Sequence, residues 1–386
     1  MTREDYEEIL TYLREVIKDT PWEGKVYTVG GCLRDALMGH DIHDVDLAVA
    51  VPDGGVQFPI WLEKQGLTLQ PPTLYRRFSS SRLRLKKFPQ HEIEVVQTRR
   101  EQYTDANSRN PEVCFGSIMD DCERRDLTIN SLYQNVTTGE ILDLTGRGVD
   151  DIRNHRIRTP MKPDDTYSDD PIRILRTLRF AVRYGWEIPE DVMQAMKDNG
   201  SRMKIVRRPR VSTEFDKMMS SNDPATLLEM MKEIGVIFRV LPELSHLYRI
   251  KDHSQRKKLG PQAPLPTLWE LTLQKLREVV GSAEDSLEAR YAALFSQFHR
   301  IKLPYSYPKK DGKDKPSRRG RGRSAIVTMA LRRLMYDYDF IRRVKSFFAD
   351  SNEEISENNK ENSPAPNKRK RKRRRRRSGA KKAAAQ

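Results

Sequence analysis

GKVYTVGGCLRDALMGHDIHDVDLAVA, residues 24 to 50, carries the densest chemistry in the chain. The run Lys25 to Val29 reads as a buried strand, Gly30-Gly31 as a tight turn, and Cys32 to Met38 as a short helix whose free N–H groups face that turn. A strand, glycine turn and helix start in this order make a place for an anion. Asp44 and Asp46 stand two apart among Val45, Leu47 and Val49, so on a second strand they share one face. Two carboxylates beside a phosphate cradle suit Mg²⁺ shared between protein oxygens and a nucleoside triphosphate.

At 386 residues the chain can bury a sizeable core, in two or more folded units plus a tail. Its formal charge is +16 and 33% of its residues are charged, which favours a polyanionic partner. Residues 351 to 386 hold 13 Lys/Arg and 4 Glu, so +9 of the +16 sits there and +7 remains on residues 1 to 350. The body is basic in its own right. Cys32, Cys114 and Cys122 form no C-x-x-C pair and are odd in number, which points to a reducing cytosol rather than a disulfide framework or a zinc site. Met1 to Leu13 is too charged for a signal peptide, and no apolar run approaches the roughly 20 residues that span a bilayer.

Outward from the opening stretch, Tyr6, Ile9, Leu10, Leu13 and Ile17 fall at helical spacing within residues 3 to 18. Pro52-Asp53-Gly54-Gly55 is turn chemistry, and Val56 to Gly66 reads as a helix ended by glycine. Ser80 to Lys87 and Glu92 to Thr98 both alternate and predict a hairpin turning at 88 to 91. In its second strand Glu92 and Glu94 share a face, and either completes a carboxylate set with the Asp pair. Residues 99 to 115 are polar and read as a loop.

Arg124-Arg125-Asp126-Leu127-Thr128-Ile129-Asn130-Ser131-Leu132 is the second chemical stretch. Arg125 offers a planar fork to triphosphate oxygens, while Asp126 and Asn130, one helical turn apart, suit ribose hydroxyls. EILDLTGRGVDDIRNHRIR, residues 140 to 158, reads as strand, glycine turn, helix and strand. From Ser168 the period becomes helical, with Ser168 as N-cap and Asp169, Asp170 and Pro171 in the first turn. Asp170, Arg173, Arg176 and Arg179 recur in steps of three on one stripe, opposite Ile174, Leu175, Leu178 and Ala181. Further helices are predicted at 190–199, 210–220, 224–234, 267–280, 283–299 and 324–350. Residues 301 to 323 read as a basic linker or RNA-touching loop. The tail, with ten consecutive basic residues Lys368 to Arg377, reads as disordered and phosphate-binding or as a targeting signal.

The GG…RD…DVD segment, RRD-x-T-x-N-x-L and the DD-x-x-R helix, in that order, resemble the motifs of the class II tRNA nucleotidyltransferase (CCA-adding) and bacterial poly(A) polymerase family. The resemblance implies an α+β fold: a polymerase-β-like α/β head over residues 1–163, a helical nucleotide-recognition and RNA-binding neck over 164–240, a helical body over 241–350, and the disordered basic tail 351–386. It implies catalytic Asp44 and Asp46 with Glu94 as the third carboxylate of EIEVVQTR, Asp44 and Asp46 being the Mg²⁺ ligands. It places Gly30, Gly31, Arg34 and Arg125 on the triphosphate, Asp126 and Asn130 on the ribose, Asp170 and Arg173 on the base, and Arg176 and Arg179 on the phosphates from the helical side. The implied partners are ATP, CTP and RNA, foremost a tRNA 3′ end, with no membrane; the oligomeric state stays open. Arg76-Arg77-Phe78 is reminiscent of a basic poly(A) polymerase signature, which keeps that activity as the alternative, whereas RTPMKPDDTYSDDPIRILR looks more like the tRNA enzymes. His40-Asp41 and His43-Asp44 suggest a remote third reading, an HD-type phosphohydrolase.

Overall fold

The structure, a computed structural model, describes residues 1–102, 112–301 and 323–348. Helix α1 (Arg3–Ile17) starts at Thr2, whose hydroxyl accepts from the Asp5 N–H at 3.1 Å while the Asp5 carboxylate accepts from Thr2 N–H at 3.0 Å. Its apolar stripe, Tyr6, Ile9, Leu10, Leu13 and Ile17, is fully buried as its spacing predicts. The chain continues through β1 (Val26–Val29), α2 (Gly31–Met38), β2 (Val45–Val49), α3 (Gly54–Lys64), β3 (Thr73–Tyr75), β4 (Ser80–Leu85), β5 (Phe88–Gln97), β6 (Arg99–Gln102), β7 (Glu112–Phe115), α4 (Ile118–Glu123), β8 (Tyr133–Asn135), β9 (Ile141–Leu142) and α5 (Gly148–Arg153). Seven strands form one sheet in the order β3-β4-β5-β2-β1-β8-β9, and β6 pairs with β7 as a separate ribbon.

Within the sheet only β2 and β5 run parallel, so the chain must cross over between them, and α3 makes that crossing. Val45, Leu47, Val49, Ile93 and Val95 pack with Leu10, Leu13, Phe58 and Leu62 on the helix-covered face. The opposite face carries Asp46 and Glu94. At the start of α3 helix and sheet nearly touch: a Cβ on Gly55 would lie 1.9 Å from the Ser79 carbonyl oxygen, and Ser81 Oγ donates to the Gly55 carbonyl at 2.8 Å. Gly54 and Gly55 therefore open the helix instead of forming the predicted turn.

From Pro163 onward the fold is helical: α6 (Pro163–Asp169), α7 (Ile172–Tyr184), α8 (Glu190–Asn199), α9 (Arg208–Met219), α10 (Pro224–Glu233), α11 (Ile237–Val240), α12 (Arg256–Leu259), α13 (Leu268–Val279), α14 (Leu287–Leu294), α15 (Arg323–Arg333) and α16 (Tyr338–Ser346). All but α12 share one continuous core containing Tyr167, Leu178, Phe215, Trp269, Tyr291 and Leu331. The molecule is thus an α+β head joined to a helical body.

Several expectations change. Ser168 lies inside α6 and is not an N-cap: Pro171 confines Asp170 to extended backbone (φ −137°, ψ 95°), so one helix ends and another begins there. The β4–β5 turn is Lys86-Lys87, with Phe88 already paired to Leu85. Part of the expected loop at 99–115 is the β6–β7 ribbon, while 103–111 lie outside the described residues. The strand expected after α5 is reduced to one bridge, Arg156 with Glu187. The helix foreseen at 283–299 is shortened to α14, which Ser286 caps by accepting from Ala289 N–H. The one at 324–350 breaks at Met335 (φ +67°), and Asp337 caps the next. Linker residues 302–322 and the basic tail lie outside the described residues.

Gly55→Ala should destabilise the protein by about 3 kcal/mol or more, because the added methyl collides with backbone that cannot swing aside. The urea midpoint measures this; an unchanged midpoint would mean that α3 can withdraw from the sheet at no cost.

Candidate active site

The parallel β2–β5 register sets Asp46 directly opposite Glu94, and Asp44 is exposed one residue before β2 begins. Burial, together with the charge of Glu94 and to a lesser degree Asp44, pushes the Asp46 carboxyl up to about 6 in spite of Arg125 and Arg34. Asp46 and Glu94 are thus side by side on adjacent strands. Gly30 adjoins them at φ +77° and ψ −132°, a conformation that glycine adopts without strain. A Cβ on it would stand 3.7 Å from Asp46 Oδ2 and 3.5 Å from Arg125 Nη1. Gly31 then begins α2, whose first-turn N–H groups have no partner within the helix. One corner thus combines carboxylates, a guanidinium and a helix start.

Arg125 is held on three sides: Nε donates to Tyr133 Oη at 3.0 Å, Nη2 to Asp121 Oδ2 at 3.0 Å, and Nη1 to the Asn130 carbonyl at 3.4 Å. Asp121 is fully buried, which opposes its ionisation, yet the Arg125 and Arg124 guanidiniums hold its carboxyl well below the usual range. Sequence reading passed over Asp121; its signal was the spacing of three and four to Arg124 and Arg125.

Arg34, Asp126 and Asn130 belong to a buried chain of hydrogen bonds. Arg34 clasps its neighbour Asp35 through Nε and Nη2, both at 2.8 Å, and its Nη1 donates to Asn130 Oδ1. Asn130 Nδ2 donates to Asp126 Oδ1 at 3.1 Å, and Asp126 Oδ2 accepts from Arg176 Nε on α7 at 2.6 Å. Burial works against the Asp126 charge, but Arg176 and Asn130 outweigh it and lower its pKa to about 2. Asp126 and Asn130 meet across a single 3₁₀ turn, Thr128–Asn130, not along an α-helix. The Phe180 ring completes the junction, with the guanidinium carbons of Arg34, Arg176 and Arg179 at 5.0, 5.7 and 4.6 Å from its centroid.

The stripe predicted on the second helix is divided. Asp170 precedes α7 and is clasped by Arg210 of α9 through Nη1 at 3.2 Å and Nη2 at 2.6 Å. Arg173 is buried and donates to the carbonyls of Thr166 and Arg124. Arg179 Nε donates to Glu214 Oε1 at 2.5 Å. Neither Arg210 nor Glu214 was singled out in the sequence, since both lie on a helix distant along the chain. A cavity of about 280 Å³ opens among Ile172, Arg176, Pro209, Arg210, Thr213 and Glu214. A larger one, about 620 Å³, lies between Arg208 and α15, apart from the carboxylates.

Among the described residues, no three Asp, Glu, His or Cys side chains close around a point where a metal ion would sit. The carboxylate pair nonetheless fits Mg²⁺, which needs only one or two protein carboxylates when phosphate oxygens complete its shell. Asp46 and Glu94 stand directly opposite each other in the β2–β5 register, so a cation there would offset their mutual repulsion. His40 stacks at 6.0 Å on Tyr184 and His43 is exposed.

Residues 26–158 match the model of the poly A polymerase head domain, and residues 185–247 that of the probable RNA and SrmB-binding site of polymerase A. The chain thus carries a poly A polymerase head domain followed by that family's probable RNA-binding region. Curated members it resembles include the tRNA nucleotidyltransferase cca1 of Schizosaccharomyces pombe, 30% identical over 55% of this chain and 45% of that protein. The mitochondrial CCA tRNA nucleotidyltransferase of Saccharomyces cerevisiae is 33% identical over 53% of this chain and 40% of its own. The multifunctional CCA protein of a Neisseria meningitidis strain is 30% identical over 72% of this chain and 62% of its own. The matched regions thus span about half the length of the yeast relatives. The fold also matches solved structures of a CCA-adding enzyme in apo form (22% identity, TM-score 0.63, covering 91% of this chain and 74% of that one) and of the Thermotoga maritima CCA-adding enzyme complexed with tRNA (20%, 0.60, 91% and 73%).

Asp126→Asn should cost roughly 2 kcal/mol of stability at pH 7. The Asp126 pKa is lowered on folding, so its contribution is complete above about pH 4 and fades as pH falls through about 2. Denaturation curves of parent and variant should therefore converge in acid; a pH-independent difference would assign the loss to packing.

Proposed function

We propose that the protein is a template-independent RNA nucleotidyltransferase that adds C and A to tRNA 3′ ends from CTP and ATP. The observation that carries this is the Asp46–Glu94 register beside Gly30 and Arg125. Support comes from the two family models and from relatives named for CCA addition. In this reading residues 1–163 are the catalytic head, 164–240 the nucleotide-recognition neck, 241–350 the remaining helical body, and 351–386 a basic extension toward RNA.

The reaction joins a primer 3′ hydroxyl to the α-phosphorus of the nucleotide and releases pyrophosphate. Mg²⁺ held by Asp44 and Asp46, with Glu94 beside them, would supply activation of the attacking oxygen and neutralisation of charge at the leaving group. Gly30, Gly31 and Arg125 would receive the triphosphate, since the start of α2 and the Arg125 guanidinium adjoin the carboxylate corner. Arg34, Asp126 and Asn130 would set the ribose and hold α7 against the head. Asp170 and Arg173 would read the base, and Arg176 and Arg179 would steady the phosphates. Asp170, Arg173, Arg176 and Arg179 all have protein partners, so each would exchange an internal bond for the nucleotide. No described helix is long and apolar enough to cross a membrane. Three unbridged cysteines suit a reducing compartment, which we read as the cytosol.

A poly(A) polymerase is the second reading, favoured by the exposed Arg76-Arg77-Phe78 turn. Incubation with Mg²⁺, each labelled nucleotide and tRNA lacking its 3′ CCA distinguishes the two. Termination at CCA supports the first; an open-ended A run supports the second. Asp46→Ala and Glu94→Ala should each reduce incorporation by at least about a hundredfold with folding intact. Normal turnover in the Asp46 variant would remove the carboxylate mechanism.

A further inference from the structure

The proposed reaction leaves one strongly charged region unused. Residues 64 to 91 contain seven Lys/Arg and no Asp or Glu. They build β3, β4 and the turns around them, at the edge of the sheet beyond β5. The strand alternation sorts this charge: Leu83 and Leu85 are buried while Arg82 and Arg84 are exposed. Arg82 is paired in register with Glu94, as Glu94 is with Asp46, so the three residues lie on one face in adjacent strands. With strands about 4.8 Å apart, Arg82 stands roughly 10 Å from the Asp46 position. Arg82 makes ion contacts of 3.3 and 3.5 Å with Glu92 and Glu94, both loose and solvent-exposed. Tyr75 continues the same face, being paired with Ser80, and is 44% exposed; Phe78 in the following turn is 59% exposed. Large aromatics left in water beside exposed arginines are what a single strand of nucleic acid uses, its bases stacking and its phosphates pairing.

We infer that the open β3–β4 face is a track for single-stranded RNA, along which the nucleotides preceding the 3′ end lie on Tyr75, Phe78, Arg82 and Arg84 as the end approaches Asp46. This rests on the nucleotidyltransferase reading for the direction of the strand. Its charge, its exposed rings and its continuity with the carboxylates favour RNA over a second copy of this chain pairing with the free edge of β3.

The test uses the full chain and a short single-stranded oligoribonucleotide bearing 4-thiouridine near its 3′ end, without nucleotide or metal. Photo-crosslinks should map to residues 73 to 85. In Arg82→Ser/Arg84→Ser affinity should fall about tenfold and the log–log salt slope by about 1.4, corresponding to two lost single-strand phosphate contacts. The crosslink should vanish with them. Arg82→Lys/Arg84→Lys should restore the slope, which a folding defect would not allow. Crosslinks only in the helical body or basic tail, or an unchanged salt slope, would overturn the track. So would a parent dimer that the serine variant dissociates. Crosslinking at 73 to 85 by a protein that adds no nucleotide would sustain the track and remove the nucleotidyltransferase reading instead.

Discussion

The parallel pairing of β2 with β5 is the constraint on which the rest of the molecule depends. It brings Glu94 opposite Asp46, although the two are far apart along the chain, and it requires a crossover that α3 supplies. That crossover fits only because Gly54 and Gly55 let helix and sheet approach closely. A slip of one residue in the pairing would turn Asp46 or Glu94 into the apolar layer with Leu47 and Val95. The cost of burying an unpaired carboxylate there makes the register self-enforcing.

A second layer of order comes from guanidinium groups. Asp121 fixes Arg124 and Arg125, Asn130 joins Arg34 to Asp126, and Arg176 carries the linkage into the helical body. Phe180 lies among three of these cations and gives them an apolar surface to rest on. Each polar group there is satisfied by another, which is the condition under which buried charge is tolerated. The head and the first long helix of the body are therefore joined by chemistry as well as by the buried apolar cluster that Leu127, Ile129, Phe180 and Trp186 share.

What could be read in the sequence was whatever is local. The strand, glycine turn and helix from 26 to 38, the Asp pair, and the apolar stripes of α1 and α7 all follow from spacing within a few residues. Helical spacing grouped Asp126 and Asn130 as ribose contacts, whereas a 3₁₀ turn is what brings them together and lets them bond to each other. The rest was hidden because it depends on distant neighbours. Nothing in the DDPIR stretch announces that Asp170 will be clasped by Arg210, or that Arg173 will use its fork on the carbonyls of Thr166 and Arg124. The split of α6 from α7 was legible in Pro171, had its effect on the preceding residue been weighed above the helical period.

The linkage through Asp126 and Arg176 also limits how the chain can be recombined. The two residues are 50 positions apart and lie on opposite sides of the junction between sheet and helices. A helical body transplanted from a relative would carry its own counterpart of Arg176 to a head whose Asp126, Asn130 and Arg34 are already committed to one another. Unless that counterpart presents the same donor at the same place, the graft leaves a buried carboxylate without its cation. A graft that preserves this linkage must therefore keep α7 with the head it was built against.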